Sequence, residues 1–194
     1  LTKLIPASFF ADAVLPVYTD LETTFFPDAH VETTSVDGEA RSNVGNPGVS
    51  WGTIRNDTIG SSASDLTASY DFTLVQGSGT NAYRIMGRLF QLFDTSSLPD
   101  GGTINSATFQ FVALTGTRTE ILPSQSVALV TSTPASNTAI ATEDYDQMGT
   151  VDQATDVTLT SLTVDSANYN VMTLNAAGRG NISKTGITKF GLRY

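Results

Sequence analysis

Apolar and polar residues alternate with a period of two along much of this chain, the spacing of strands with one face buried. Tyr70, Phe72 and Leu74 share one side, with Asp71 and Thr73 on the other. Ala107, Phe109, Phe111 and Ala113 alternate in the same way with Thr108 and Gln110. Residues 89–93 are apolar on both sides and predict a central strand. Further short strands are predicted over 126–131, 156–160, 169–174 and 187–194, the last with Phe190, Leu192 and Tyr194 opposed to Lys189, Gly191 and Arg193. Turn clusters punctuate these runs: Gly45-Asn46-Pro47-Gly48, Gln76-Gly77-Ser78-Gly79, Pro99-Asp100-Gly101-Gly102 and Thr115-Gly116-Thr117. Many short strands at such spacing predict an all-β fold, an antiparallel β-sandwich of jelly-roll-like type. Two very short helices are expected between strands. One covers 142–147, with Thr142 before Glu143 and Asp144 at its start; the other covers 175–183, opened by an Asn cap and weakened by Gly178 and Gly180.

The first twenty residues read differently. Leu4, Ile5, Phe9, Phe10, Val14, Leu15 and Val17 crowd a segment that Pro6 and Pro16 keep from forming a continuous helix. Two readings stand: a first strand folded on its own sheet, or an extended arm over 1–20 that docks on another subunit, leaving 21–194 as a single sandwich domain. An apolar segment of this kind needs a cover. The segment lacks the basic flank and unbroken apolar core of a signal peptide. The chain opens at Leu1 without a methionine, as expected of a chain whose leader has been removed or of a fragment.

Composition narrows the class. The chain has 194 residues, enough for one domain with a full core and no disulfide or metal staples. About a quarter of it is Thr or Ser, and Lys is scarce, a leaning toward secreted or surface-exposed proteins. There is no cysteine, which removes disulfides, thiol nucleophiles and Cys-ligated zinc. The net charge of −9 is the wrong sign for a phosphate-backbone binder, so nucleic acid is not an expected partner. No apolar run reaches the ~18 residues of a membrane-spanning helix. Two glycosylation sequons occur, Asn56-Asp57-Thr58 and Asn181-Ile182-Ser183.

One stretch is distinctive. Leu89-Phe90-Gln91-Leu92-Phe93-Asp94-Thr95-Ser96-Ser97-Leu98-Pro99 runs, after a Gly-rich turn, into Thr103-Ile104-Asn105-Ser106-Ala107-Thr108-Phe109. It resembles the DNRLRE group of extracellular β-sandwich modules, whose strand ends in F-D-x-S-x-L-P before I-x-S-A-x-L opens the next. Asp28-Ala29-His30-Val31 is similar to their opening D-A-Y-V, and residues 184–193 are similar to a late strand in related environmental and phage-encoded sequences. Together these cover roughly residues 28–194. The resemblance implies a jelly-roll-like sandwich, found as a carbohydrate-binding-like module or as part of cell-surface and virion proteins. Such domains carry a strand or more beyond the late strand, whereas this chain stops at Tyr194. The expectation is therefore an open edge at Phe190, Leu192 and Tyr194, with the apolar arm as its donor in cis or in trans.

Candidate chemistry is sparse. His30 is the single histidine, and no G-x-S-x-G elbow accompanies it, which leaves little for a Ser-His-Asp hydrolase or a His-ligated metal. No carboxylate pair stands out for glycoside hydrolysis. Glu143, Asp144, Asp146 and Asp152 form an acidic cluster that suits either a solvated loop or a structural calcium, the one cofactor considered; Asp28, Asp37 and Glu39 form a looser one. Trp51, Tyr83, Tyr145 and Tyr169 are candidates for stacking on sugar rings. Alternation places Trp51 with Val49 and Thr53, as in a strand, and Arg84 and Arg88 are expected to pair with aspartates at the surface. The leading expectation is a non-enzymatic extracellular structural protein: a surface, appendage or virion subunit that assembles with copies of itself by strand complementation. The alternative is a carbohydrate-binding or adhesin module with glycan partners.

Overall fold

Leu89-Phe90-Gln91-Leu92-Phe93 lies at the centre of the fold because it is apolar on both sides, and a strand of that kind needs a cover on each face. In the computed structural model, which describes residues 22–66, 74–114 and 125–194, this run is part of the long strand β4 (Tyr83–Asp94). The other strands are β1 (Asp37–Asn43), β2 (Ser62–Ser64), β3 (Leu74–Gln76), β5 (Thr108–Phe111), β6 (Ser126–Ser132), β7 (Met148–Asp152), β8 (Val157–Thr158), β9 (Asn170–Thr173) and β10 (Ile187–Arg193). They form an eight-stranded antiparallel sheet ordered β2-β1-β4-β10-β6-β7, with β3 on β4 and β8 on β6, and a two-stranded ribbon, β5-β9. The protein is an all-β sandwich with unequal layers.

The large sheet is buried on both faces. Toward the ribbon, Phe190, Leu192, Val127 and Leu129, with Leu89 and Phe93 beside them, pack on Phe109 and Met172. The Phe93 and Phe109 rings meet edge to face, 6.2 Å apart. On the opposite face, Phe90 and Leu92 pack with Val36, Ala40, Ile140 and Tyr145. That cover comes from the segment between β6 and β7, including a 3-10 turn at Thr142–Asp146. A third cluster, Ile54, Tyr83 and Met86, gathers Val49, Trp51, Leu74 and Tyr194.

The two expected helices are present and short. The 3-10 turn has its cap one residue before the expected one: Ala141 is the N-cap, and Asp144 reaches back to its N–H at 2.8 Å. In α2 (Ala176–Gly180) Asn175 caps as expected, accepting from the Gly178 N–H at 2.9 Å. The helix α1 (Trp51–Arg55) was not expected; Ser50 caps it by accepting from the Thr53 N–H at 3.2 Å, so Trp51 sits in a first helical turn and not in a strand.

The late strand corrects an expectation. β10 is not an edge: Leu192 stands opposite Leu89 of β4 and Leu129 of β6, and Phe190 opposite Gln91 and Thr131. Phe190 and Leu192 are buried, and Tyr194 packs against the third cluster. The physical reason is in the pattern itself. Phe190 and Leu192 fill one face, while Gly191 on the other lets β10 slide under Met148, so both faces are covered. The arm residues Leu4, Ile5, Phe9, Phe10, Val14, Leu15 and Val17, the predicted strand at Tyr70 and Phe72, and the Thr115-Gly116-Thr117 turn lie outside the described residues.

Candidate functional site

The acidic cluster is divided among separate structural tasks. Asp144 is buried, and its carboxylate accepts the backbone N–H groups of Ala135 and Ala141, each at 2.8 Å. Glu143 accepts from the Thr142 hydroxyl at 3.0 Å, and Asp146 from the Gln147 amide. Asp152 stands on β7 beside Asp156, whose carboxyl is pushed up, first by burial and then by the Asp152 charge. Among the described residues, no group of three or more His, Asp or Glu side chains is placed to hold a metal ion.

The aromatic candidates do not make a sugar-stacking face. Tyr145 is fully buried, and Tyr83 is buried with its ring edge-on to Trp51 at 5.2 Å. Trp51 is half-buried in the same cluster, and only Tyr169 is open to solvent. Of these four candidates, Tyr169 alone presents an exposed ring.

Arg88 departs furthest from its expectation. Among the described residues it forms no surface pair with an aspartate: it points into the face opposite the ribbon and is only 4% exposed. Its two terminal nitrogens donate to the Tyr145 and Arg55 carbonyls. The guanidinium lies 4.1 Å from the centre of the Tyr145 ring, and Tyr145 Oη donates to the Ile54 carbonyl at 2.8 Å. One side chain thereby ties β4 to the end of α1 and to the 3-10 turn. The register brings Arg193 up beside Arg88, since Leu192 is opposite Leu89, and adjacent like charges are unfavourable. Burial pushes both guanidinium pKa values down, and Asp152 and Asp156 offset the Arg193 charge.

Loop carboxylates act in the same structural manner. Asp28 Oδ2 accepts the Thr33 and Thr34 N–H groups at 3.0 and 2.7 Å and both hydroxyls at 2.9 Å, which holds its carboxyl well below the usual carboxylate range. His30 lies in the loop so formed, exposed, with Nδ1 3.0 Å from Glu32 Oε2. Asp37 and Glu39 are on β1, and Glu39 pairs with Arg41 at 2.7 Å. Asp165 accepts the Ala167 and Asn168 N–H groups, both at 2.7 Å.

The distinctive stretch around residue 94 has a physical role that alternation does not disclose. Asp94 accepts the Ser96 N–H at 3.0 Å, and the Gly102 N–H closes a turn onto the Pro99 carbonyl at 2.9 Å. Buried Thr95 is within 2.7 Å of the Ser183 carbonyl and of Thr188 Oγ1. Lys184 Nζ donates to the Gly102 carbonyl at 2.9 Å. The two motif regions, distant in sequence, are thus bound to one another.

The ribbon is the least finished part of the sandwich. The Leu174 N–H bonds the Ala107 carbonyl at 3.0 Å, which sets the even-numbered N–H groups of β9 toward β5 and turns those of Val171 and Thr173 away. On that outer edge Gln153 and Ala154 pair only at its end, with Asn175 and Leu174. Tyr169 and Val171 are 58% and 52% exposed along it. Comparison with family models, with curated proteins and with solved structures returned no match. No helix among the described residues is long and apolar enough to cross a membrane.

Proposed function

We propose that this chain is a non-enzymatic extracellular structural protein, a surface or appendage subunit that assembles with copies of itself by adding a strand to an open sheet edge. The observation that carries the reading is the narrow ribbon: two strands cover an apolar sheet face, and one edge leaves Val171 and Thr173 without backbone partners among the described residues. Two-stranded ribbons are marginal alone, and an exposed edge is a template for pairing. The use of Asp28, Asp94, Asp144 and Asp165 to stiffen their own loops suits a building block whose shape must be fixed. The cysteine-free, Thr- and Ser-rich composition suits an extracellular setting.

The test is electron microscopy of the natively isolated protein, with light scattering of the same sample. Ordered filaments or lattices are expected. A uniform particle the size of one 20.5 kDa chain would overturn the reading.

A further inference from the structure

We propose that Arg55 and Arg193, backed by buried Arg88, form a binding site for a doubly charged oxyanion, phosphate or sulfate.

The chain carries 10 basic against 19 acidic residues, so a cation has ample choice of carboxylates. Arg41 takes one, at 2.7 Å from Glu39. Arg179, Lys184 and Lys189 donate to the Leu174, Gly102 and Pro134 carbonyls. Arg55 and Arg193 differ. Among the described residues, neither guanidinium has a hydrogen bond or an ion pair, although the fold sets both beside a third.

Three elements build the cluster. Leu192 stands opposite Leu89, which sets Arg193 of β10 opposite Arg88 of β4 on the sheet face away from the ribbon. Arg88 in turn donates to the Arg55 carbonyl and so holds the end of α1 against the same place. Two carbonyls fix Arg88, so it cannot turn away from its neighbours. The Nε–H groups of Arg88 and Arg193 are buried without a partner, so packing holds both stems. The charges act on one another: after burial, Arg193 and Arg55 lower the Arg88 pKa, and Arg55 lowers that of Arg193. Like charges side by side on a sheet are unfavourable, and a bound counter-ion relieves them.

The surrounding carboxylates are engaged elsewhere or only partly effective. Asp57 accepts the Ser42 hydroxyl at 2.7 Å, and Asp146 accepts from the Gln147 amide. Asp152 and Asp156 offset part of the Arg193 charge but form no ion pair with it. Burial, and then the Asp152 charge, push the Asp156 carboxyl up. A group of three guanidinium charges is matched better by a double negative charge than by a single one. The planar forks suit the paired oxygens of phosphate or sulfate. Arg55 and Arg193 are half-buried, reachable from solvent yet partly desolvated, where a charge pair is stronger than in open water.

Thermal unfolding and calorimetry of the full chain test the site, in chloride buffer at constant ionic strength with sodium phosphate or sulfate added. A saturable rise in the unfolding midpoint is expected, complete by about 10 mM. Arg55→Gln and Arg193→Gln should each raise the half-saturating concentration about tenfold or more. Lys189→Gln, on the same face of β10, should bind as the parent chain does. Acetate, with a single charge, should need about tenfold more than phosphate. The midpoint in chloride alone shows whether each variant is folded; if Arg193→Gln is not, Arg55→Gln, which lies outside the sheet, decides. A rise that never saturates and is shared by all the chains is a general salt effect and would overturn the site. Unchanged binding by the two arginine variants, or an equal loss in Lys189→Gln, would do the same. Acetate bound as tightly as phosphate would overturn the assignment of a doubly charged ligand.

Discussion

The Arg88 guanidinium lies 4.1 Å above the centre of the Tyr145 ring while donating to the Tyr145 and Arg55 carbonyls. Arg88→Ala takes the guanidinium from one buried and one partly buried carbonyl and leaves a void beneath an aromatic ring, so it should cost about 3 kcal/mol. Arg88→Lys can reach one carbonyl but not both, and should cost about half as much. Urea unfolding of the two variants checks the order; equal stability of Arg88→Ala and the parent chain would contradict it.

Alkaline pH should weaken the fold through the same pair. Burial, only partly countered by Arg88, pushes the Tyr145 hydroxyl up to about 12 from 10.0. Above pH 10 the unfolded chain releases this proton and the folded chain keeps it, so stability falls as pH rises from 10 to 12. The loss is on the order of 2–3 kcal/mol. Tyr145→Phe should flatten this part of the pH–stability curve.

Thr95→Val should cost roughly 2 kcal/mol, because it takes one partner from the buried Thr188 hydroxyl, which keeps only the Ser183 N–H, and removes the hydroxyl that bonds the Ser183 carbonyl. Thr95→Ser keeps the hydroxyl and should recover most of the loss. Hydrogen exchange is expected to quicken first at the Ser183 and Thr95 amides, which bond Thr188 and Gly186.

Acid should act through Asp28. Its carboxyl is held below the usual range by the Thr34 and Thr33 backbone N–H groups and then by their hydroxyls. The stabilisation is therefore present above pH about 4 and is lost as pH falls below that. Asp28→Asn should remove this acid dependence and speed amide exchange at Thr33 and Thr34 at neutral pH. An unchanged acid limb would show that the loop does not depend on the charge.

Gly191→Ala tests the two-sided burial of β10. A methyl group there would meet Met148 Sδ at 2.5 Å and the Leu89 carbonyl oxygen at 2.9 Å. The methionine can swing aside but the backbone cannot, and a cost of about 1–3 kcal/mol is expected. Thermal unfolding measures it.

The sequence was legible where side chains carry the pattern. The central strand follows from its two apolar sides, and the strands at 108–111, 126–132, 170–173 and 187–193 from their spacing of apolar residues. β1 does not, because Gly38, Ala40 and Ser42 are its inward residues; an added Cβ at Gly38 would sit 2.8 Å from Ile140 Cγ1, so the packing demands small groups there. Small inward residues erase the hydrophobic signal of a buried strand. Trp51 was misplaced because Val49-Trp51-Thr53 mimics a strand, although Ser50 three residues before Thr53 signals a helix start. The position of β10 was misread as an edge despite Gly191, whose missing side chain marks a close approach. For the candidate site, residue types pointed to Tyr145 and Asp144, but only the fold reveals both as interior fastenings. The edge of β9 had no signature in the sequence, since an unpaired N–H is a property of neighbours.

β4 and β6 do not touch as strands; β10 lies between them and pairs with both. During synthesis the two halves of the large sheet therefore have no ladder to join them until residues 187–193 emerge from the ribosome. Until then each half presents an edge it will later hide. Export or chaperone capture before that moment would deliver two loose halves, and a stop codon placed just ahead of Ile187 should yield a chain that aggregates instead of a shortened sandwich.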